Sequence, residues 1–360
     1  MWLILLILVP IIGFGYILWH VWNILPFATP WKWVVVALAV ACVVIFFTNF
    51  IFKLDNKPMP VAIALYEIGD STLFIGLYVA MLFLLLDIGR LVRLVPKSFL
   101  YNSWAGTLTV FCVITALFVY GYIHYNNKVR VPITVETHHK LQKPLKVVMI
   151  SDVHAGYHNR KAELERWIEL INLEHADLVL VAGDIIDGSI RAVREQKLDE
   201  DFRKINAPVY AILGNHEYYS GRAESIRFYH DAGIHLLVDS VAHVDGLTIL
   251  GRDDRTNPNR KSVADLMKEA GSNPGFTILM DHHPYHLEEA EKAGVGFQLS
   301  GHTHYGQVWP ISWIEDAIYE DAFGPLTKGN TQYYVSSGIG IWGGKFRIGT
   351  RSEYVVADIR

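Results

Sequence analysis

The chain has 360 residues, 51% hydrophobic and 19% charged, with a net charge of −4 and a mean hydropathy of +0.23. It is too apolar for an ordinary soluble enzyme, and a pI near 6.5 gives no support to a nucleic-acid-binding surface. The two cysteines, Cys42 and Cys112, both fall in apolar stretches, which excludes a cysteine zinc site and says nothing about redox compartment.

The apolar excess lies at the N-terminus, where residues 1–31 contain no Lys, Arg, Asp or Glu. Four runs, at 2–22, 33–52, 71–91 and 104–124, each reach the roughly 20 apolar residues that a spanning helix needs. The opening "MWLILLILVPIIGFGYILWHVW" has neither a basic n-region nor a small-residue cleavage site, so it reads as a retained span and not a signal peptide. Four spans place both termini on one side of a plasma or inner membrane. Arg90, Arg93 and Lys97 mark the loop after the third run as cytoplasmic, which puts the C-terminal part outside; Lys53, Lys57, Lys128 and Arg130 pull the other way. The balance leans to an extracytoplasmic domain. Asp87 and Arg90, near the end of the third run, read as interface residues in preference to an ion path.

After residue 127 charge appears regularly, and 14 of the 16 histidines lie from His138 onward. Residues 128–144 read as a juxtamembrane linker and 145–360 as one α/β domain. "LKVVMISD" has the unbroken apolar run of a buried strand. "KAELERWIELINL" follows, with Leu164, Trp167, Ile168 and Ile171 on one helical face. "DLVLVAGD", "PVYAILGN" and "FTILMDHHP" repeat the buried-strand pattern, each ending in polar residues. "YYVSSGIG", "GKFRIG" and "EYVVADI" read as strands without intervening helices. The fold class expected is therefore a four-span helical membrane region followed by an α/β domain of two packed mixed sheets, the second more antiparallel.

Functional groups in open α/β sheets gather at the carboxyl ends of strands, and here each end is loaded with metal-ligand types. "SDVH" supplies Asp152 and His154; "GDIID", Asp184 and Asp187; "GNHE", Asn215, His216 and Glu217; "DHHP", Asp281, His282 and His283; "GHTH", His302 and His304. Singly, such motifs are usually solvated turns. Five in succession, each after a buried strand, point to a centre of imidazoles, carboxylates and one amide, without thiolate, which suits Mn²⁺, Fe or Zn²⁺.

The order Asp-X-His, Gly-Asp-X-X-Asp, Gly-Asn-His-Glu, His-X-Pro and Gly-His-X-His resembles the calcineurin-like metallophosphoesterases over most of 145–360. The apolar N-terminus and the tail "SSGIGIWGGKFRIGTRSEYVVADI" are similar to the branch of transmembrane proteins with a metallophosphoesterase domain. That branch is related to lipid pyrophosphatases of the UDP-2,3-diacylglucosamine type and to a bacterial cell-wall phosphoesterase. The resemblance implies two divalent ions: one held by Asp152, His154, Asp184 and His304, the other by Asp184, Asn215, His282 and His302, with Asp184 bridging. It implies a two-metal hydrolase in which cations about 3.5–4 Å apart activate a bridging water and neutralise charge in an in-line displacement. His216, next to a ligand, can donate a proton to the leaving group, or serve as a further ligand or a structural residue. Asp187 can hold that imidazole, or cap a helix. His283 and Asp281 read as second-layer or surface residues, because one side chain of that turn can face the metal.

Two departures narrow the substrate. Gly188 stands where protein phosphatases of the superfamily have an arginine, which disfavours phosphoproteins. Tyr305 stands where the branch usually has glycine, which alters the pocket wall. Arg252, Arg255 and Arg347 are candidates for gripping a phosphate oxygen. The expected function is hydrolysis of a phosphomonoester, phosphodiester or pyrophosphate bond in a lipid or lipid-linked substrate at a bilayer, with no nucleic-acid partner. The competing readings are a binding or sensor protein with an inactive domain, and an enzyme for cell-wall or soluble substrates. "HTHYGQ" lacks the His-X-His-X-Asp-His of metallo-β-lactamase-type hydrolases.

Overall fold

In the computed structural model every residue is described except Met1, Lys53, His139 and Gln142, with the side chains of 2–10 and Phe50 also left out. Lys53, one of the charges weighed for orientation, therefore lies outside the described residues. The chain divides into two compact units, Met1–Ile123 and His124–Arg360.

The first unit is helical: α1 Trp2–Ile24, α2 Thr29–Ile51, α3 Met59–Leu91 and α4 Trp104–Asn126, the last running three residues into the second unit. Among the described residues three stretches are long and apolar enough to cross a membrane: Thr29–Asn49, Met59–Leu91 and Trp104–Asn126. The fourth expected span corresponds to α1, whose described apolar part, Ile11–Ile24, is shorter than a span. Asp87 does not pair with Arg90. It accepts a hydrogen bond from Tyr16 Oη at 2.8 Å and meets His20 Nε2 at 2.9 Å, so its carboxylate turns to α1.

The second unit carries α5 Lys161–Leu173, α6 Ile190–Glu195, α7 Leu198–Phe202, α8 Asn215–Asp231, α9 Val263–Glu269, α10 Glu288–Ala293 and α11 Ile311–Ile318. Its strands are β1 Val129–Val135, β2 Leu145–Ile150, β3 Leu178–Val181, β4 Val209–Ala211, β5 His235–Leu236 and β6 Ser240–Val244. They continue as β7 Leu247–Gly251, β8 Phe276–Met280, β9 Phe297–Ser300, β10 Gly324–Lys328, β11 Thr331–Val335 and β12 Glu353–Ile359. One sheet runs β1-β12-β2-β3-β4-β5, the other β10-β11-β9-β8-β7-β6. β2 to β5 are parallel, as are β7, β8, β9 and β11; the first sheet has one antiparallel pairing, β12 with β2, and the second has two, at its edges, so the second sheet is the more antiparallel, as expected.

Inner parallel strands are buried on both faces, which is why β3 and β8 read as unbroken apolar runs. Met149, Leu180, Ile278, Leu299 and Val355 fill the space between the sheets. The outer face of the first sheet is covered by α5, through the expected Leu164, Trp167, Ile168 and Ile171, and by Phe228 and Tyr229 of α8. On the second sheet Leu250 and Leu279 pack with Leu266 of α9 and Ala290 of α10.

Two expectations are corrected. The supposed linker 128–144 contains β1, paired in parallel with β12 from Val129↔Glu353 to Val135↔Ile359. Pro132 disguised it: an edge strand tolerates a residue with no N–H to donate. "GKFRIG" forms no strand. Its only ladder contact is the isolated bridge Val308↔Ile348, and Gly343 and Gly349 take positive φ values of 70° and 75°. If β1 belongs to the folded unit, Val135→Asp, at a 1% exposed position, should cost on the order of 3 kcal/mol, read as a lowered thermal midpoint; a linker residue would tolerate it.

Candidate metal centre

The loops after β2, β3, β4, β8 and β9 converge. Ligand-type atoms of Asp152, His154 and His304 lie within 4.8 Å of one another, and so do those of Asp152, Asp184 and His282, of His154, Asp184 and His216, and of His282, His283 and His302. Asn215, the first residue of α8, joins through Oδ1, which is 3.0 Å from His302 Nδ1. All seven residues expected as ligands are thus brought together. Arg255 lies over Tyr285, and the guanidinium groups of Arg252 and Arg347 are taken up by buried partners.

The backbone explains the convergence. Asp152, His154, Asp184, His302 and His304 have φ between 46° and 72°, the left-handed region that non-glycine residues avoid. Such strain clusters where function requires it. Each strand ends and turns within one or two residues, which folds the side chains back over the sheet edge. Close approach then requires glycine: a Cβ on Gly214 would lie 2.1 Å from Asp184 Oδ1, and one on Gly301 2.4 Å from Asp152 Oδ2.

The polar atoms are arranged acceptor against acceptor. His282 Nδ1 donates to the Ala182 carbonyl at 2.7 Å, which leaves Nε2 facing Asp184 Oδ2, 3.2 Å away, as a lone pair whenever the ring is neutral. His154 and His304 face each other through Nε2 atoms 3.1 Å apart, with Asp152 Oδ1 3.8 and 3.5 Å from them. His282 Nε2, His154 Nδ1 and His304 Nδ1 are buried and make no hydrogen bond of their own. Acceptors so opposed need positive charge between them, and this donor set fits divalent cations.

The acid–base balance points the same way. Burial pushes the carboxyls of Asp152 and Asp184 up, but the imidazoles of His304 and His154 around the first, and of His282 and His216 around the second, hold both below the usual carboxylate range. Burial lowers His154, but the carboxylates of Asp152 and Asp187 beside it override this and raise the ring to about 10; burial dominates at His304, lowered to about 3. The negative charge favours the protonated form of both rings, and burial with neighbouring positive charge overcomes it at His304 alone.

His216 Nδ1 lies 2.6 Å from Asp187 Oδ1, and the His216 N–H donates to Asp184 Oδ1 at 2.9 Å. Asp187 is buried and is no helix cap; Ser189 caps α6, accepting from the Arg191 N–H at 3.1 Å. The two other arginine assignments are corrected. Arg347 is fully buried, donating from Nη1 to the His304 carbonyl at 2.5 Å, from Nη2 to the Ser337 carbonyl and from Nε to Ser352 Oγ at 3.1 Å, so it braces the His304 loop from behind. Arg252 is buried against Asp281 Oδ2 at 3.0 Å and Glu289 Oε2 at 2.9 Å. Asp281 is accordingly an internal anchor, also held by Arg260 at 2.9 Å, and not a surface residue. Arg255 is exposed, its guanidinium 4.1 Å above the Tyr285 ring.

Asp254 escaped the sequence reading, Glu217 was named there without a role, and His283 was expected in the second layer or at the surface. His283 sits with its ring 3.7 Å from that of His302 and its Nδ1 2.9 Å from Asp254 Oδ2. Asp254 follows β7, whose "LGRDD" has the same signal as the other strand ends. Glu217, fully buried, accepts from the N–H groups of Gly214 at 2.7 Å, Ile186 at 2.9 Å and Asp184 at 3.2 Å, tying the β3 and β4 loops together. Burial and then the charge of Asp184 push it up to about 7.

Residues 145–306 match the calcineurin-like phosphoesterase family. An uncharacterized metallophosphoesterase of Campylobacter jejuni is 31% identical over 259 residues, covering 69% of this chain and 68% of that one. The chain belongs to the calcineurin-like phosphoesterases. Another member, from Helicobacter pylori strain J99, is 32% identical over 59% of each chain, so this chain spans about three fifths of that relative's length. A Danio rerio transmembrane protein with metallophosphoesterase domain is 28% identical over 78% of this chain and 70% of its own length.

Gly214→Ala should displace Asp184 and cut retained metal at least about tenfold, read by elemental analysis of the purified protein with its secondary structure intact. Arg347→Met should lower stability by about 3 kcal/mol, because buried carbonyls lose their donors; a substrate-gripping arginine would instead change KM with stability unaltered.

Proposed function

We propose that this chain is a membrane-anchored phosphoesterase that uses two divalent cations, Mn²⁺, Fe or Zn²⁺, to hydrolyse a lipid or lipid-linked phosphoester. The observation that carries this reading is the set of opposed lone pairs at His282, Asp184, His154, His304 and Asp152. Asp152, His154, Asp184 and His304 would hold one cation, and Asp184, Asn215, His282 and His302 the other. When bound, such a pair supplies charge neutralisation at the phosphate oxygens and activates water.

The chain's own groups account for the rest. Asp187 fixes the His216 ring through Nδ1, so Nε2 is the nitrogen available to the substrate. As the bond from phosphorus to the leaving oxygen breaks and a water oxygen joins phosphorus, the leaving oxygen takes a proton from His216 Nε2, and the proton that the water gives up passes to solvent, from which His216 is reprotonated. Asp187 is a positioning residue here, since it touches imidazole and not substrate. Arg255, held over Tyr285, can reach a phosphate oxygen at the rim. We take α1 as a fourth span and the catalytic unit as extracytoplasmic, on the distribution of Lys and Arg.

The test incubates Mn²⁺-loaded protein with a total lipid extract of its native host, beside Asp184→Asn, and follows substrate loss by mass spectrometry. The wild type should consume a phosphate-containing lipid, and the variant should be slower by at least about 100-fold. Chelation should abolish turnover and Mn²⁺ restore it. Cleavage of a soluble phosphodiester with every lipid untouched would remove the lipid assignment, and no cleavage of either would favour the binding-only alternative.

A further inference from the structure

Helix α11 begins seven residues after His304 and is turned inside out. Ser312 is its one buried residue, while Trp313, Ile314 and Ile318 are 64%, 56% and 54% exposed. At about 100° per residue Trp313, Ile314, Ala317 and Ile318 share one face, pointing away from Ser312. Trp309, 38% exposed, extends that face, its ring edge-on to Trp313 at 5.2 Å. Among the described residues of the α/β unit six large apolar side chains are exposed. Leu173 and Tyr219 are the two outside this segment. A helix of a water-facing domain would bury its apolar stripe.

The helix is fastened to the centre. Tyr305 Oη donates to Asp316 Oδ2 at 3.2 Å, which accounts for a tyrosine at φ 49°, where glycine would be at ease. A Cβ on Gly306 would lie 2.4 Å from the Ser312 nitrogen, so the loop carrying His302 and His304 packs directly on α11.

A bilayer is the occupant that suits this face. α4 is apolar and long enough to span, and only two residues separate its end at Asn126 from β1 at Val129. Tyr125, in its last turn, is fully buried in the α/β core and donates to Asn159 Oδ1 at 2.6 Å. The unit that bears α11 therefore begins in the last turn of a helix apolar and long enough to span a membrane. Tryptophan favours the headgroup level. Glu315 and Asp316, with no Lys or Arg in the helix, select burial of apolar surface over attraction to anionic lipid.

We propose that α11 lies in the membrane interface, with Trp309, Trp313, Ile314 and Ile318 at the boundary between headgroups and acyl chains, and presents the adjoining metal centre to phosphoester groups at the lipid surface. The second half rests on the phosphoesterase reading above; the insertion does not.

The test uses the full chain with Cys42→Ala and Cys112→Ala in phosphatidylcholine nanodiscs. A nitroxide at Ile314→Cys is compared with one at Lys268→Cys, an exposed position on α9, by relaxation with oxygen and with a water-soluble nickel chelate. Insertion makes oxygen the stronger relaxant at 314 and nickel at 268. Nickel dominance at 314 overturns the proposal, as does shielding from both, which would mean a second copy or another protein covers the face. In the same discs Trp313→Glu with Ile318→Glu should slow hydrolysis of a long-chain phosphoester at least about tenfold and leave a soluble phosphoester within about twofold. Equal losses on both overturn the delivery role. If the wild type cleaves only the soluble compound, the lipid reading fails while the label at 314 still decides insertion.

Discussion

The centre depends on a backbone constraint: side chains that must face one another have to leave their strands through left-handed turns. Asp152, His154, Asp184, His302 and His304 all do so. Each such residue costs about 1 kcal/mol relative to ordinary backbone, and their carboxylates and imidazoles are then buried together. Support comes from the inter-sheet core, where Met149, Leu180, Ile278 and Leu299 are essentially inaccessible and fix the strand ends from which the loops depart.

Two buried charges stabilise those turns from opposite sides. Glu217 is a carboxylate among amide N–H groups, and Arg347 a guanidinium among carbonyls. Each satisfies backbone groups that a strand ladder would otherwise have paired. The ligand loops are irregular, yet buried almost as completely as the sheets. His216 and Asp187 extend this arrangement by one hydrogen bond, so the group assigned to proton transfer is oriented by the same loop that supplies Asp184.

Much of this was legible because parallel strands covered on both faces announce themselves as apolar runs, and the residues after them are the ones delivered to the centre. What stayed hidden was long-range. Arg347 looked like any surface arginine, since its acceptors at His304 and Ser337 are brought to it only by folding, and "GKFRIG" mimicked a strand because its alternation follows from wrapping that buried side chain. Arg252 was misread for the same reason, its partner Asp281 lying 29 residues away. β1 was concealed by Pro132, and His283 by the assumption that a turn offers one side chain to a site, when Asp254 from another strand end holds a second.

The strand order β1-β12-β2 carries a consequence for biosynthesis. Among the described residues β12 is the only sheet partner of β1, and more than 200 residues separate them. At about 5–20 residues per second a ribosome needs on the order of 10–40 s to supply β12 once β1 has left the exit tunnel. Throughout that interval β1 has no ladder, and β2 has an open edge where β12 will later insert. Such edges invite pairing with other chains, so the newly made chain spends its most aggregation-prone moments beside its apolar N-terminal helices, dependent on whatever chaperones attend it.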